Sequence, residues 1–183
     1  MAVTSLIGQE SFSKISLSGF TVNLTQSNQF SIKLDTTIEV KRIIENDTLY
    51  IGVIDQTGPV PKSTMSINVD KLSYLELQNS KLVMESPITV DTLNVELGCS
   101  FGTLKVNAKT LSITAGAATQ FTIEGKAEHL TCDVGGASNL FGSNFIANQG
   151  DLAAAGYSRL FVNAKEVTSL ECDGNSYVTN LSK

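Results

Sequence analysis

Apolar residues recur at a nearly constant interval along the last two-thirds of the chain. Six leucines open successive Leu-x-apolar segments, and neighbouring members are 18, 18, 19, 22 and 18 residues apart: Leu75, Leu93, Leu111, Leu130, Leu152 and Leu170. Self-similarity at this period is typical of repeat proteins, in which each repeat packs on its neighbours. We therefore predict that these leucines are buried and form one ladder along a stack of coils.

A second segment of each repeat alternates apolar and polar residues. Residues 104–109 (LKVNAK) return as residues 160–165 (LFVNAK), and residues 88–91 and 121–124 occupy the equivalent place in their repeats. Alternation with a period of two is typical of a strand with one buried face. No stretch keeps an apolar period of 3.6 for about ten residues, so little or no helix is expected.

A glycine follows each of the last five leucines by four or five residues, where a coil must bend: Gly98, Gly116, Gly135, Gly156 and Gly174. Glycine takes a positive φ at little cost and therefore suits such corners. An array of hairpins would instead favour Asn-Gly or Asp-Gly in two-residue loops, and only Asp173-Gly174 has that form. The pattern favours a parallel β-helix, a β-solenoid with coils of 18 to 22 residues.

The positions two residues after the leucines predict a second inward ladder, formed by Val95, Ile113, Cys132, Ala154 and Cys172. Cys132 and Cys172 would then lie two coils apart, which is too far for a disulfide. With Cys99 they are expected to be free thiols. The extra residues of the longest coil fall around residues 141–144 and are expected to bulge from its side.

The N-terminal third also alternates, although less regularly. Residues 12–24, 30–34 and 46–53 are predicted to form strands, and residues 54–64, which contain two of the three prolines, a loop. We expect one all-β domain over residues 1–183. Its residues 1–74 would form an irregular cap that begins the solenoid, and residues 75–183 the repetitive coils.

Charge, composition and residue spacing argue against nucleic-acid binding, a membrane span, a metal site and a catalytic triad. The chain is 17% charged with a net charge of −5, so it has no basic stripe with which to bind nucleic acid. No apolar run is long enough to span a bilayer. The lone His129 and the three cysteines lack the spacing of a metal site or a catalytic triad. We expect no cofactor and no metal.

The order of the N-terminal segments carries a family resemblance. Residues 22–26 (VNLTQ), 30–32 (FSI) and 46–51 (NDTLYI) precede a run of Leu-x-apolar coils with Gly-x-Ser or Gly-x-Ala corners. In this order the chain resembles the head GIN domain of auto-transporter adhesins, a family common in Bacteroidetes. The resemblance implies a secreted or envelope-attached β-helical protein, periplasmic or extracellular, whose signal peptide has been removed.

Three functions remain open at this point. The first, which we favour, is a non-catalytic adhesion module that binds polysaccharide or a cell-surface protein. It would use faces of stacked Thr, Ser and Asn, and the candidate binding residues are Tyr157 and Tyr177, near the corners, together with Asp133 and Asp173. The second is a structural envelope component, which would show neither a cleft nor a distinctive patch.

The third is a polysaccharide-cleaving enzyme of the β-helix type. Asp133 and Asp173 each follow a cysteine of the second ladder, so they are predicted at equivalent positions two coils apart. Twice the strand spacing of about 4.8 Å is close to the upper limit for the two carboxylates of an inverting glycosidase, about 6.5–9.5 Å. Coils of 18 residues leave little loop to wall a cleft, so we predict that the chain is not an enzyme.

Overall fold

The computed structural model describes residues 3–6, 12–35, 39–54 and 63–182, and all regular structure in these ranges is β. Sixteen strands follow one another along the chain: β1 (Val3–Leu6), β2 (Lys14–Ser18), β3 (Phe20–Gln26), β4 (Ser31–Asp35), β5 (Val40–Glu45), β6 (Thr48–Val53), β7 (Ser63–Val69), β8 (Tyr74–Gln78), β9 (Lys81–Val83), β10 (Ile88–Gly98), β11 (Phe101–Gly116), β12 (Gln120–Val134), β13 (Asn139–Ala154), β14 (Arg159–Val162), β15 (Ala164–Cys172) and β16 (Tyr177–Asn180).

The strands form a single-domain β-solenoid, which confirms the predicted fold class. On the first flank of the stack, β6, β2, β8, β10 and the later parts of β11, β12 and β13 pair in parallel, ending with β15. On the second flank, β7, β3, β9 and the earlier parts of β11, β12 and β13 pair in parallel, followed by β14 and β16. The described residues contain no helix that could cross a membrane.

The coils do not stack in chain order at the N-terminal end. Strand β2 lies between β6 and β8, and β3 lies between β7 and β9. The outermost coil is therefore built from β6 and β7, which come later in the sequence. Antiparallel pairs, β5 on β6 and β1 on β4 on β7, close this end of the stack. Residue 75 thus marks the start of the leucine repeat rather than the start of the stack.

The predicted leucine ladder is divided between two neighbouring ladders. Leu93, Leu111 and Leu130 stack directly on one another, but Leu130 faces Gly150 in the next coil. Leu152 and Leu170 instead continue the adjacent ladder, whose earlier members are Ile15, Leu75, Val95, Ile113 and Cys132. A shift of two residues leaves a side chain on the same face of a strand, so the apolar pattern could not reveal it.

The last coil departs from the prediction in its burial as well. Leu170 is 53% exposed although its ladder neighbour Leu152 is 2% exposed. Among the described strands, β15 pairs only with β13, so no further coil covers Leu170. Cys172 is also exposed and faces Ala154, in a different ladder from Cys132. The prediction that Cys132 and Cys172 share one buried ladder was therefore wrong. The prediction that all three cysteines are free thiols is confirmed.

A one-residue β-bulge in β13 accounts for one of the three residues by which the Leu130–Leu152 spacing of 22 exceeds the preceding spacing of 19, and the other two arise because Leu152 lies in the adjacent ladder. Thr122 faces Phe141 and Glu124 faces Asn144, so three steps on β13 match two on β12. The pairing resumes directly afterwards and continues to Ala154. The bulge therefore adds length at the side of the coil and leaves the interior ladders continuous.

A ladder of buried hydroxyl groups lines one corner of the solenoid. One coil after another places a small hydroxyl residue just past a corner residue with positive φ: Ser80, Ser100, Thr119, Ser138, Ser158 and Ser176. The corner residue itself is Asn79, Cys99 or Ala117 in the earlier coils and glycine in the later ones. Each hydroxyl donates to a backbone carbonyl of its own or the preceding coil. No buried polar side-chain atom in the described residues lacks a partner.

Replacing Ser100 by alanine is expected to destabilise the protein by about 1–3 kcal/mol, because buried polar groups lose their partner. The Ser100 hydroxyl donates to the carbonyl of Leu77 at 3.0 Å and accepts from the backbone N–H of Ser80 at 3.1 Å. Urea unfolding followed by circular dichroism measures the change. Ser112→Ala, on the outer face of β11, is the matched control and should change stability by less than about 0.5 kcal/mol. Equal effects of the two substitutions would contradict the role of the corner ladder.

Candidate functional site

The two carboxylates considered for catalysis are not at equivalent positions. Asp133 faces Ala153, which in turn faces Glu171. Asp173 lies in the following turn, where its backbone N–H donates to the carbonyl of Ala154. The prediction that the two are stacked two coils apart was wrong, because the cysteines before them belong to different ladders. Both carboxylates are exposed, and the described residues contain no cluster of three or more His, Cys, Asp or Glu that could hold a metal.

The outer face of the first flank is acidic. Glu76, Glu96, Asp133 and Glu171 belong to one outward ladder, with Thr114 and Ala153 between them. Burial, together with Glu76 and Glu96, raises the pKa of the neighbouring Tyr74. Burial and the adjacent Asp133 likewise raise the pKa of the Cys132 thiol, which stays protonated. An anionic ligand would be repelled from this flank.

The two tyrosines singled out in the sequence lie near each other on successive coils. Tyr157 follows the corner residue Gly156 and is 71% exposed. Tyr177 begins β16, directly opposite Arg159 of β14, and is 62% exposed. Two large exposed rings on a folded surface are compatible with a contact site.

The structure adds an aromatic pair whose members the sequence analysis had placed apart, Phe141 at the insertion and Phe161 in a repeated strand segment. Phe141 and Phe161 face each other on β13 and β14, with ring centroids 5.5 Å apart and planes inclined by 15°. Both rings are half-buried and lie on the outer face of the second flank. In the next coil, Thr179 faces Phe161 and continues this outward ladder with a smaller side chain. We call Phe141, Tyr157, Arg159, Phe161 and Tyr177 the aromatic patch. Phe141 and Phe161 occupy polar positions of the alternating pattern, which is the sequence signal that could have identified them.

The comparisons with known proteins agree with this fold. A family model described as "Putative auto-transporter adhesin, head GIN domain" matches residues 11–181. A search of curated proteins finds no match.

Several solved structures are similar over almost their whole length. A putative adhesin from Bacteroides fragilis is 15% identical, with a TM-score of 0.84 over 98% of this chain and 96% of that one. A putative adhesin from Parabacteroides distasonis is 16% identical, with a TM-score of 0.67 over 98% and 92%. A putative lipid binding protein from the same species is 11% identical, with a TM-score of 0.62 over 98% and 96%. At these identities the likeness concerns the fold alone.

Proposed function

Because the chain belongs to the family of the putative auto-transporter adhesin head GIN domain, we propose that it is a non-catalytic adhesion module of the cell surface or envelope. Its ligand is a polysaccharide, which it contacts through the aromatic patch. The patch extends from the corner after Gly156 along the outer face of the second flank.

The observation that carries the proposal is the exposure of Tyr157 and Tyr177 beside Arg159 and the stacked Phe141–Phe161 pair. The C–H faces of a sugar ring are apolar and pack on aromatic side chains, whose polar ends can take part in hydrogen bonds. The guanidinium of Arg159 supplies several donors for sugar hydroxyls.

Each site of this kind binds weakly, because a flat surface buries little of its ligand. Tight attachment to the polysaccharide then requires many copies of the domain bound to one polymer, since linked binding events raise the overall avidity by orders of magnitude. The separation of Asp133 from Asp173 into different ladders supports binding over cleavage, because a hydrolase must place two carboxylates around one bond.

Replacing Tyr157 and Tyr177 together by alanine is expected to weaken binding to a polysaccharide about tenfold or more, which corresponds to roughly 1.4 kcal/mol. Affinity electrophoresis against a panel of pectins and other glycans measures the change. Tyr50→Ala is the matched control, because Tyr50 is a partly exposed tyrosine of β6 at the opposite end of the solenoid. It should bind as the wild type does.

The same panel tests the enzymatic alternative. Incubation of the wild type with each glycan should leave the chain length of the polymer unchanged. Shortening of a polymer that disappears in Asp133→Asn or Asp173→Asn would refute the proposal. Equal binding by the double tyrosine variant and Tyr50→Ala would remove the aromatic patch as its site.

A further inference from the structure

A shallow groove runs along another corner of the solenoid, where the second flank bends into the first. One part of it, of about 370 Å³, is lined by Thr89, Val90, Asp91, Asn107, Ala108, Lys109 and Lys126. A second part, of about 380 Å³, shares Thr89, Val90 and Asp91 and continues through Asp70, Lys71, Leu72 and Ser73 to Ser13. Because they share these three residues, the two parts form one continuous feature, which we call the corner groove.

The corner groove crosses five successive coils. Its residues follow the ladder order, since Lys126 faces Asn107 and Asn107 faces Thr89. The backbone of Ser73 donates to the carbonyl of Ser13 in the coil beyond. Four strand spacings amount to about 19 Å. A groove of this length and direction suits an extended polymer rather than a compact small molecule.

The rim of the groove is held in place by a side chain from a distant strand. Gln26, at the end of β3, donates to the carbonyl of Thr89 at 2.9 Å and accepts from its backbone N–H at 2.8 Å. This paired contact fixes Thr89 just before the bend. Half-buried Val90 and Ala108 form an apolar floor beside it.

The walls of the groove are more basic than the chain as a whole. Three lysines and two aspartates line it, whereas the chain carries a net charge of −5. Lys109 is bound to Asp91 at 2.7 Å, and this contact, with a smaller contribution from Glu128, raises the pKa of Lys109. Lys126 is exposed and makes no ion pair with any described residue. Its ammonium is therefore free to bind an anion.

We propose that the corner groove is a second binding site, which takes a polysaccharide chain bearing carboxylates. The apolar floor of Val90 and Ala108 packs on the C–H face of a sugar, and Thr89, Asn107 and the Lys109–Asp91 pair bind its hydroxyls. Lys126 binds the carboxylate. The site rests on the proposed function for its class of ligand but is separate from the aromatic patch.

Binding to polygalacturonate and to its fully methyl-esterified form tests the proposal, because the two polymers differ in charge but share one backbone. The wild type should bind the acid more tightly, and added salt should reduce that difference. Lys126→Gln removes the charge and leaves a polar side chain that is one atom shorter. It should weaken binding of the acid about tenfold, the loss expected for one charge-assisted hydrogen bond, and leave binding of the ester unchanged.

Lys33→Gln, an exposed lysine of β4, is the matched control and should bind both polymers as the wild type does. The proposal is overturned if Lys126→Gln binds the acid as tightly as Lys33→Gln, or if the wild type binds neither polymer. The double alanine variant of Tyr157 and Tyr177 separates the two sites. If only the double alanine variant loses binding, the aromatic patch is the binding site and the proposal for the corner groove is contradicted. If only Lys126→Gln loses binding, the corner groove is the binding site and the proposal for the aromatic patch is contradicted.

Discussion

Replacing Leu111 by alanine is expected to lower the free energy of unfolding by about 2–5 kcal/mol, because the cavity left in a middle coil cannot collapse. Leu111 is fully buried, between Leu93 of the preceding coil and Leu130 of the following one. Leu111→Asp should be worse, since it buries a charge without a partner. Urea unfolding at 25 °C, followed by circular dichroism, measures both changes.

Leu170→Ala is the matched control for this experiment. The sequence assigns Leu170 to the same repeat position as Leu111, but the structure leaves it 53% exposed in the last coil. Its replacement should cost less than about 1 kcal/mol. If the two alanine variants are equally destabilised, the end of the solenoid at Leu170 is covered, and the burial described for the last coil is wrong.

Leu111 and Leu170 also show which structural features the apolar periodicity of the sequence can predict and which it cannot. The alternation of apolar and polar residues predicted strands, the absence of helix and the solenoid, because burial of one strand face requires that pattern. It could not predict register, since a shift of two residues changes the ladder without changing the face. Leu75 and Leu152 were placed one ladder away from their true position for this reason.

The order of the N-terminal coils could not be predicted from the sequence, for a different reason. Strands β2 and β6 carry similar alternating patterns, so each could pair with β8 on local grounds. The structure places β2 against β8 and β6 outside it. That choice depends on contacts between segments far apart in the chain, which no local pattern records.

The candidate site was predictable only in part. Tyr157 and Tyr177 were singled out as exposed aromatic residues near corners, and their exposure agrees with that reading, while their role in binding stays a prediction. Phe141 was attributed to an insertion, and its stacking on Phe161 depends on the register of β13 with β14. The corner groove depends on where the coil bends, which the repeat spacing does not contain.

A single glycine inside β12 should be as sensitive to substitution as the buried leucines. Gly125 has a φ of +114° and faces Val106 on one side and fully buried Phe145 on the other. A Cβ atom at this position would overlap the carbonyl oxygen of Val106. Because that neighbour is backbone in a parallel ladder, it cannot move aside as a flexible side chain could.

Gly125→Ala is therefore expected to cost more than the roughly 1–3 kcal/mol of an unfavourable φ alone, and the same urea unfolding measures the loss. Gly116→Ala is the matched control, because Gly116 lies on β11 with no atom within 4 Å of an added Cβ. Where the backbone conformation suits alanine, the smaller entropy of the unfolded chain stabilises the protein by about 0.4–1 kcal/mol. Gly116→Ala should thus be neutral or slightly stabilised, whereas Gly125→Ala should unfold at much lower urea. Coincident unfolding curves for the two variants would show that β11 and β12 are not held in the close parallel register that the conformation of Gly125 requires.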